Sequence, residues 1–216
     1  PAARWPAHVV DAKRALAWLR AHIAEHGGDP DFVAVSGGSA GGHLTSLLAL
    51  TPNRPEFQPG FEAVDTTVQA AVPFYGKYDF IDREGLVEGS RGFTQFLVDK
   101  VMPCPPQQDP ALWDGASPSQ QVQADAPPFF VLQGTHDTLV FVQEARAFVR
   151  RLRAVALRPV VYAEQRGAQH AFDLVHSVRT EFAIDAVHRF LELCYSDYLH
   201  QCATRVPQPG VSPNGG

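Results

Sequence analysis

No stretch of this chain approaches the ~20 consecutive apolar residues that a membrane-spanning helix requires, and no charged-then-apolar leader opens it. Cysteine is scarce: Cys104, Cys194 and Cys202 are odd in number, and the last two share one predicted helix. That excludes a disulfide framework and predicts reduced thiols in a reducing, cytoplasmic compartment. Positive charge is in deficit, with 18 Lys+Arg against 23 Asp+Glu and a net charge of -5. Without a basic stripe interleaved with aromatics, a nucleic-acid partner has no electrostatic support. Neither phosphate-binding glycine pattern occurs, so no nucleotide cofactor is indicated. His22 and His26 have the i, i+4 spacing of a metal pair, yet no intervening glutamate or third ligand accompanies them, and a solvated helix face is the better reading. An initiating methionine is also absent, and Pro1 leads almost directly into a helical pattern, so part of the natural protein is expected upstream.

What is there suffices for one sizeable core: 216 residues, 45% of them hydrophobic. Val9 to His26 carries Val10, Leu16, Leu19 and Ile23 at helical spacing, closing at Gly27-Gly28. Asp31 to Ser36 reads as a strand, Val68 to Tyr75 as a second, Phe129 to Leu132 as a third and Pro159 to Ala163 as a fourth. Helices are expected over Leu44 to Leu50, Phe141 to Val155 and Val178 to His200. Strands alternating with helices predict an α/β sandwich, a mostly parallel sheet with helices on both faces. Between strands two and three, about residues 76–128, prolines punctuate short helical pieces, which suggests a cap-like insertion covering a site. The domain is expected to span 1–202, with a proline- and glycine-rich disordered tail over 203–216.

The richest signal is Gly37-Gly38-Ser39-Ala40-Gly41-Gly42 between the first strand and the following helix. Strand, G-x-S-x-G, helix is the context of a nucleophile elbow, a turn so tight that the serine is strained and its neighbours must be small. A serine hydroxyl is a poor nucleophile at neutral pH, so it needs a base and a group to orient that base. Gly134-Thr135-His136-Asp137 begins where the third strand stops, and Gly167-Ala168-Gln169-His170 stands in the same relation to the fourth. Ser39, Asp137 and His170 therefore lie in loops at one edge of a parallel sheet and can converge. Asp137 could alternatively cap the next helix, and Asp173 and His176 rival His170. His43 is expected to pack beside the site.

Taken together, Trp5-Pro6-Ala7, Gly37 to Leu44, Tyr75-Gly76 before Asp79, Gly134 to Asp137 and His170-Ala171-Phe172 resemble the hormone-sensitive-lipase-like branch of the α/β-hydrolase superfamily. The resemblance implies cleavage of a small-molecule ester through an acyl-enzyme, with Ser39 as nucleophile, His170 as base then acid, and Asp137 holding the imidazole. It implies the Ala40 N–H as one oxyanion donor. Gly38, Tyr75, Phe80 and Phe96 are the expected substrate contacts, no cofactor or metal is implied, and a homo-oligomer is compatible. An amidase, peptidase or arylformamidase, or a non-catalytic binding relative, would use the same fold. Members also carry an upstream H-G-G-G-type loop with further oxyanion donors, and no such motif occurs here. The chain therefore reads as the carboxyl-terminal two thirds of such a hydrolase, its first strand left as an exposed sheet edge.

Overall fold

In a computed structural model describing residues 3–86 and 90–205, four parallel strands lie in chain order, β1 (Ala34–Gly38), β2 (Ala70–Phe74), β3 (Phe129–Gly134) and β4 (Val160–Gln165). Pairing is in register from Ala34 opposite Ala70 to Gly38 opposite Phe74, and from Phe129 opposite Val160 to Gly134 opposite Gln165. Parallel strands need crossovers, and the chain supplies them as α2 (Ala40–Leu50), α5 (Val142–Val155) and the long segment between β2 and β3. α1 (Ala7–His22) precedes the sheet and α6 (Val178–Arg205) follows it.

Side-chain alternation along the strands divides the core. Ala71, Phe129 and Val131 point to one face, where Leu16 of α1, Leu50 of α2 and Phe148 and Leu152 of α5 meet them. Ala70, Val72, Phe130 and Leu132 point to the other and pack on Ala183 and Phe190 of α6. Helices thus cover both faces, and β2 and β3 are nearly buried throughout, as interior parallel strands should be. β1 is an edge strand with Ala34 and Ser36 exposed, and α6 leaves Val178, Phe182 and Leu193 exposed.

The β2–β3 segment carries α3 (Ser90–Lys100) and α4 (Pro110–Gly115). It is fastened by a third cluster in which Leu97, Met102 and Trp113 pack on Trp5, Val9 and Leu47. It therefore sits over α1 and α2, above the carboxyl ends of the strands.

Several boundaries differ from the sequence reading. The first strand begins at Ala34 and not at Asp31, because the Gln69 side-chain oxygen takes the Val33 N–H at 2.7 Å before the ladder starts, and it runs on into Gly37-Gly38. The first helix gives way at Ile23–His26 to a tighter 3₁₀ turn, closed by Gly27 at φ 79°. α6 continues past His200, so 203–205 are helical and not part of a disordered tail. The expected tail beyond them lies outside the described residues. Cys104, Cys194 and Cys202 are free thiols.

Candidate active site

The turn from β1 into α2 fixes Ser39. Its backbone has φ 58° and ψ -117°, outside the conformations that side chains favour, and its N–H is held by the Phe74 carbonyl at 3.0 Å. Gly42 shows why the turn tolerates no side chain: a Cβ there would lie 2.6 Å from the Phe74 oxygen and 3.0 Å from the Gly76 Cα, both backbone. Ala40 is the first residue of α2, so its N–H belongs to the first turn, where donors lack intrahelical acceptors and the helix dipole is positive.

Asp137 follows β3 and is enclosed by donors. Its Oδ1 accepts the N–H groups of Leu139 and Val140, each at 2.9 Å, and its Oδ2 accepts from Gln133 Nε2 at 3.1 Å. It caps no helix, since α5 starts only at Val142, behind Phe141. With its side chain fully buried, the carboxylate is turned toward one further donor, His170 Nδ1, at 2.7 Å. His170 lies in the loop after β4, just before Ala171 at φ 58°, and its Nε2 is 2.8 Å from the Ser39 Oγ. Serine, imidazole and carboxylate thus form one continuous hydrogen-bonded line, with the Nδ1 proton facing an acceptor and the Nε2 lone pair facing the hydroxyl.

The rivals of His170 are engaged elsewhere. Asp173 accepts from the Tyr75 hydroxyl, and His176 is on the surface, 2.8 Å from Glu181. His22 stacks on Trp18 at 4.6 Å, and among the described residues no cluster of His, Cys, Asp or Glu could hold a metal ion.

Ser39, Ala40 and His170 open onto a cavity of about 470 Å³ whose walls are mostly apolar. Phe80 lines it, as do Phe93, Phe96 and Leu97 of α3, so the β2–β3 segment forms one wall. Gly38 and Tyr75 do not line it, unlike the expectation from sequence. Tyr75 is only 3% exposed, with its ring edge-on to the His170 imidazole at 4.7 Å.

His43, one turn into α2, also reaches the cavity. Its Nε2 faces the Ala116 carbonyl at 2.7 Å and must carry the proton, while its ring stacks on Phe80 at 4.5 Å. Burial pushes its pKa down to about 4, so it is neutral at ordinary pH. Sequence reasoning missed Gln133 and the ion pair of Glu144 with Lys77, the latter at the cavity wall. Lys77 Nζ is 2.5 Å from Glu144 Oε1 and 5.2 Å from the Phe93 ring centre, and burial raises the Glu144 pKa against the opposing pull of that ammonium. A glutamine inside an otherwise apolar strand was a readable signal, but 67 residues separate Lys77 from Glu144 and no spacing rule joins them.

A parallel sheet flanked by helices, with a strained serine between β1 and α2 and its partners at the ends of β3 and β4, defines an α/β-hydrolase. Residues 1–152 match the BD-FAE family, and the chain belongs to it. It is 52% identical over 212 residues to the probable carboxylic ester hydrolase LipM of Mycobacterium tuberculosis (strain ATCC 25618 / H37Rv), covering 98% of this chain and 48% of that protein. It is 48% identical over 195 residues to the esterase LipQ of the same strain, covering 90% of this chain and 46% of that protein. The chain thus spans about half the length of these curated relatives. Among solved structures, a butyrate-bound thermophilic esterase from Thermogutta terrifontis superposes with a TM-score of 0.63 at 27% identity, over 93% of this chain and 67% of that one. The same enzyme is also known phosphonylated by sarin. Among the described residues, no helix is long and apolar enough to cross a membrane.

Proposed function

We propose that this chain carries the catalytic triad of a serine carboxylesterase acting on small esters, with Ser39 as nucleophile, His170 as general base and acid, and Asp137 as its orienting carboxylate. The observation that carries the reading is the unbroken line Ser39 Oγ to His170 Nε2 at 2.8 Å and His170 Nδ1 to Asp137 Oδ2 at 2.7 Å. His170 takes the serine proton as Ser39 attacks the ester carbonyl, and the developing oxyanion faces the Ala40 N–H at the positive end of α2. Proton transfer from His170 to the departing alkoxide leaves an acyl-enzyme, and the same imidazole then activates the water that releases the acid. Asp137 orients the imidazole and stabilises the imidazolium that forms.

The apolar cavity of about 470 Å³ suits a short or medium acyl chain, in keeping with the butyrate held by the Thermogutta enzyme. One backbone donor is half an oxyanion hole, and each missing donor costs ~10²–10³ in turnover. The remaining donors are assigned to sequence beyond this chain, which matches about half of its relatives' length.

The test is a fluorophosphonate, applied to this chain and to the full-length protein that contains it, together with turnover of p-nitrophenyl butyrate. Label is expected at Ser39 by peptide mass spectrometry, and Ser39→Ala removes both label and turnover. A folded full-length protein that takes no label at Ser39 would refute the reading.

A further inference from the structure

The Tyr75 hydroxyl turns away from the cavity and donates to Asp173 Oδ1, joining the end of β2 to the loop that carries His170. Tyr75 has little freedom to choose another partner. Its φ of 37° is left-handed, and its N–H is held by the Leu132 carbonyl at 2.7 Å. The residue before the nucleophile clears its path: a Cβ on Gly38 would lie 2.6 Å from the Tyr75 hydroxyl oxygen. Burial, reinforced by the bond to Asp173, raises the pKa of the phenol, so it remains a neutral donor.

The far end of the tether lies three residues beyond His170. Between them, Ala171 adopts φ 58° and Phe172 packs edge-on against the Tyr75 ring at 5.6 Å. The same ring meets the His170 imidazole at 4.7 Å and 60°. Asp137 grips His170 only through Nδ1, which fixes the tautomer and one direction of the ring.

We infer that Tyr75 and Asp173 form a second tether that positions His170, with the phenol ring as its backstop and the hydroxyl-to-carboxylate bond as its anchor. Tyr75 is a positioning residue, since it does not line the cavity and acts through His170. The inference rests on the triad reading above. A displacement of ~1 Å at a catalytic group costs about 10²-fold in rate, so even a slack loop is consequential.

The experiment uses three variants of the full-length protein, each checked for fold by its circular dichroism and melting temperature. Tyr75→Phe keeps the ring and removes the anchor, and is expected to lower kcat about 10- to 100-fold with KM almost unmoved. Asp173→Ala should do the same. Asp173→Asn should restore wild-type kcat, because an amide oxygen still accepts from the phenol. The double variant Tyr75→Phe, Asp173→Ala should be no worse than either single one, as for two ends of one link. The low-field proton resonance of the His170–Asp137 hydrogen bond should broaden wherever the anchor is lost.

Wild-type kcat in Tyr75→Phe overturns the tether, as does an Asp173→Asn protein as slow as Asp173→Ala. Failure of the triad reading looks different: the unmutated protein then takes no fluorophosphonate at Ser39.

Discussion

Ser39 is held by backbone, through a strained φ of 58°, a 3.0 Å bond to the Phe74 carbonyl, and glycines packed against main-chain atoms at distances that admit no Cβ. His170, by contrast, sits on a loop and is held by side chains: Asp137 at 2.7 Å, the Tyr75 ring at 4.7 Å, and the Tyr75–Asp173 link beyond it. The first arrangement cannot relax without unfolding the sheet edge it belongs to. The second can lose one contact and keep its fold. On the proposed roles, the Ser39 or nucleophile side should therefore answer mutation with stability, and the His170 or base side with rate.

Asp137→Asn probes the base side hardest. Oδ1 keeps the Leu139 and Val140 N–H groups, so the turn survives, but the new amide nitrogen confronts two donors, Gln133 Nε2 and His170 Nδ1. The imidazole then loses the tautomer that leaves Nε2 free to accept a proton. Turnover of p-nitrophenyl butyrate is expected to fall ~10⁴-fold with an unchanged circular dichroism spectrum. A loss of fold in step with the loss of rate would erase the distinction between the two sides.

The same difference decides what could be read from sequence. Backbone constraints leave their mark as residue types at fixed spacing: a serine framed by glycines, after a β-rich run and before a helix, is legible because only glycine fits where another backbone passes at 2.6 Å. Strand positions were legible too, since buried parallel strands are short apolar runs. Side-chain links leave no such mark. Asp137 and His170 could be nominated by their places after Leu132 and Ala163, but Tyr75 read as one more pocket aromatic and Asp173 as a rival base, because nothing in a sequence shows where a hydroxyl points. The Asp31 boundary failed for the same reason: the Gln69 side chain, 36 residues away, claims the Val33 N–H.

Acid should act on the nucleophile side. His43, one turn after Ser39, is neutral and buried, with its pKa lowered from 6.5 to about 4. Above pH 6.5 it is neutral in both folded and unfolded chains and contributes no pH dependence. As pH falls from 6.5 toward 4, the unfolded chain takes up a proton that the folded one refuses, so stability declines, by at most ~3 kcal/mol once the pH is below both values. His43→Gln retains a donor for the Ala116 carbonyl but cannot titrate. Urea midpoints between pH 4 and 7 should therefore fall less steeply for this variant than for wild type, and parallel curves would remove His43 from the account.

The smallest effects come from two adjacent glycines, Gly41 inside the G-x-S-x-G pattern and Gly42 just after it. In Gly42→Ala the new methyl meets the Phe74 oxygen at 2.6 Å and the Gly76 Cα at 3.0 Å, and neither can swing aside because both are main chain. A loss of about 1–3 kcal/mol in urea unfolding is expected, as for overpacking in a closed interior. At Gly41 a Cβ meets no heavy atom within 4 Å, and the residue lies within α2. Alanine is the better helix former by up to ~1 kcal/mol, so Gly41→Ala should leave stability unchanged or raise it slightly. Equal losses at both positions would mean that the elbow is held by glycine flexibility in general. Opposite signs would place the constraint in a single close approach between α2 and the end of β2.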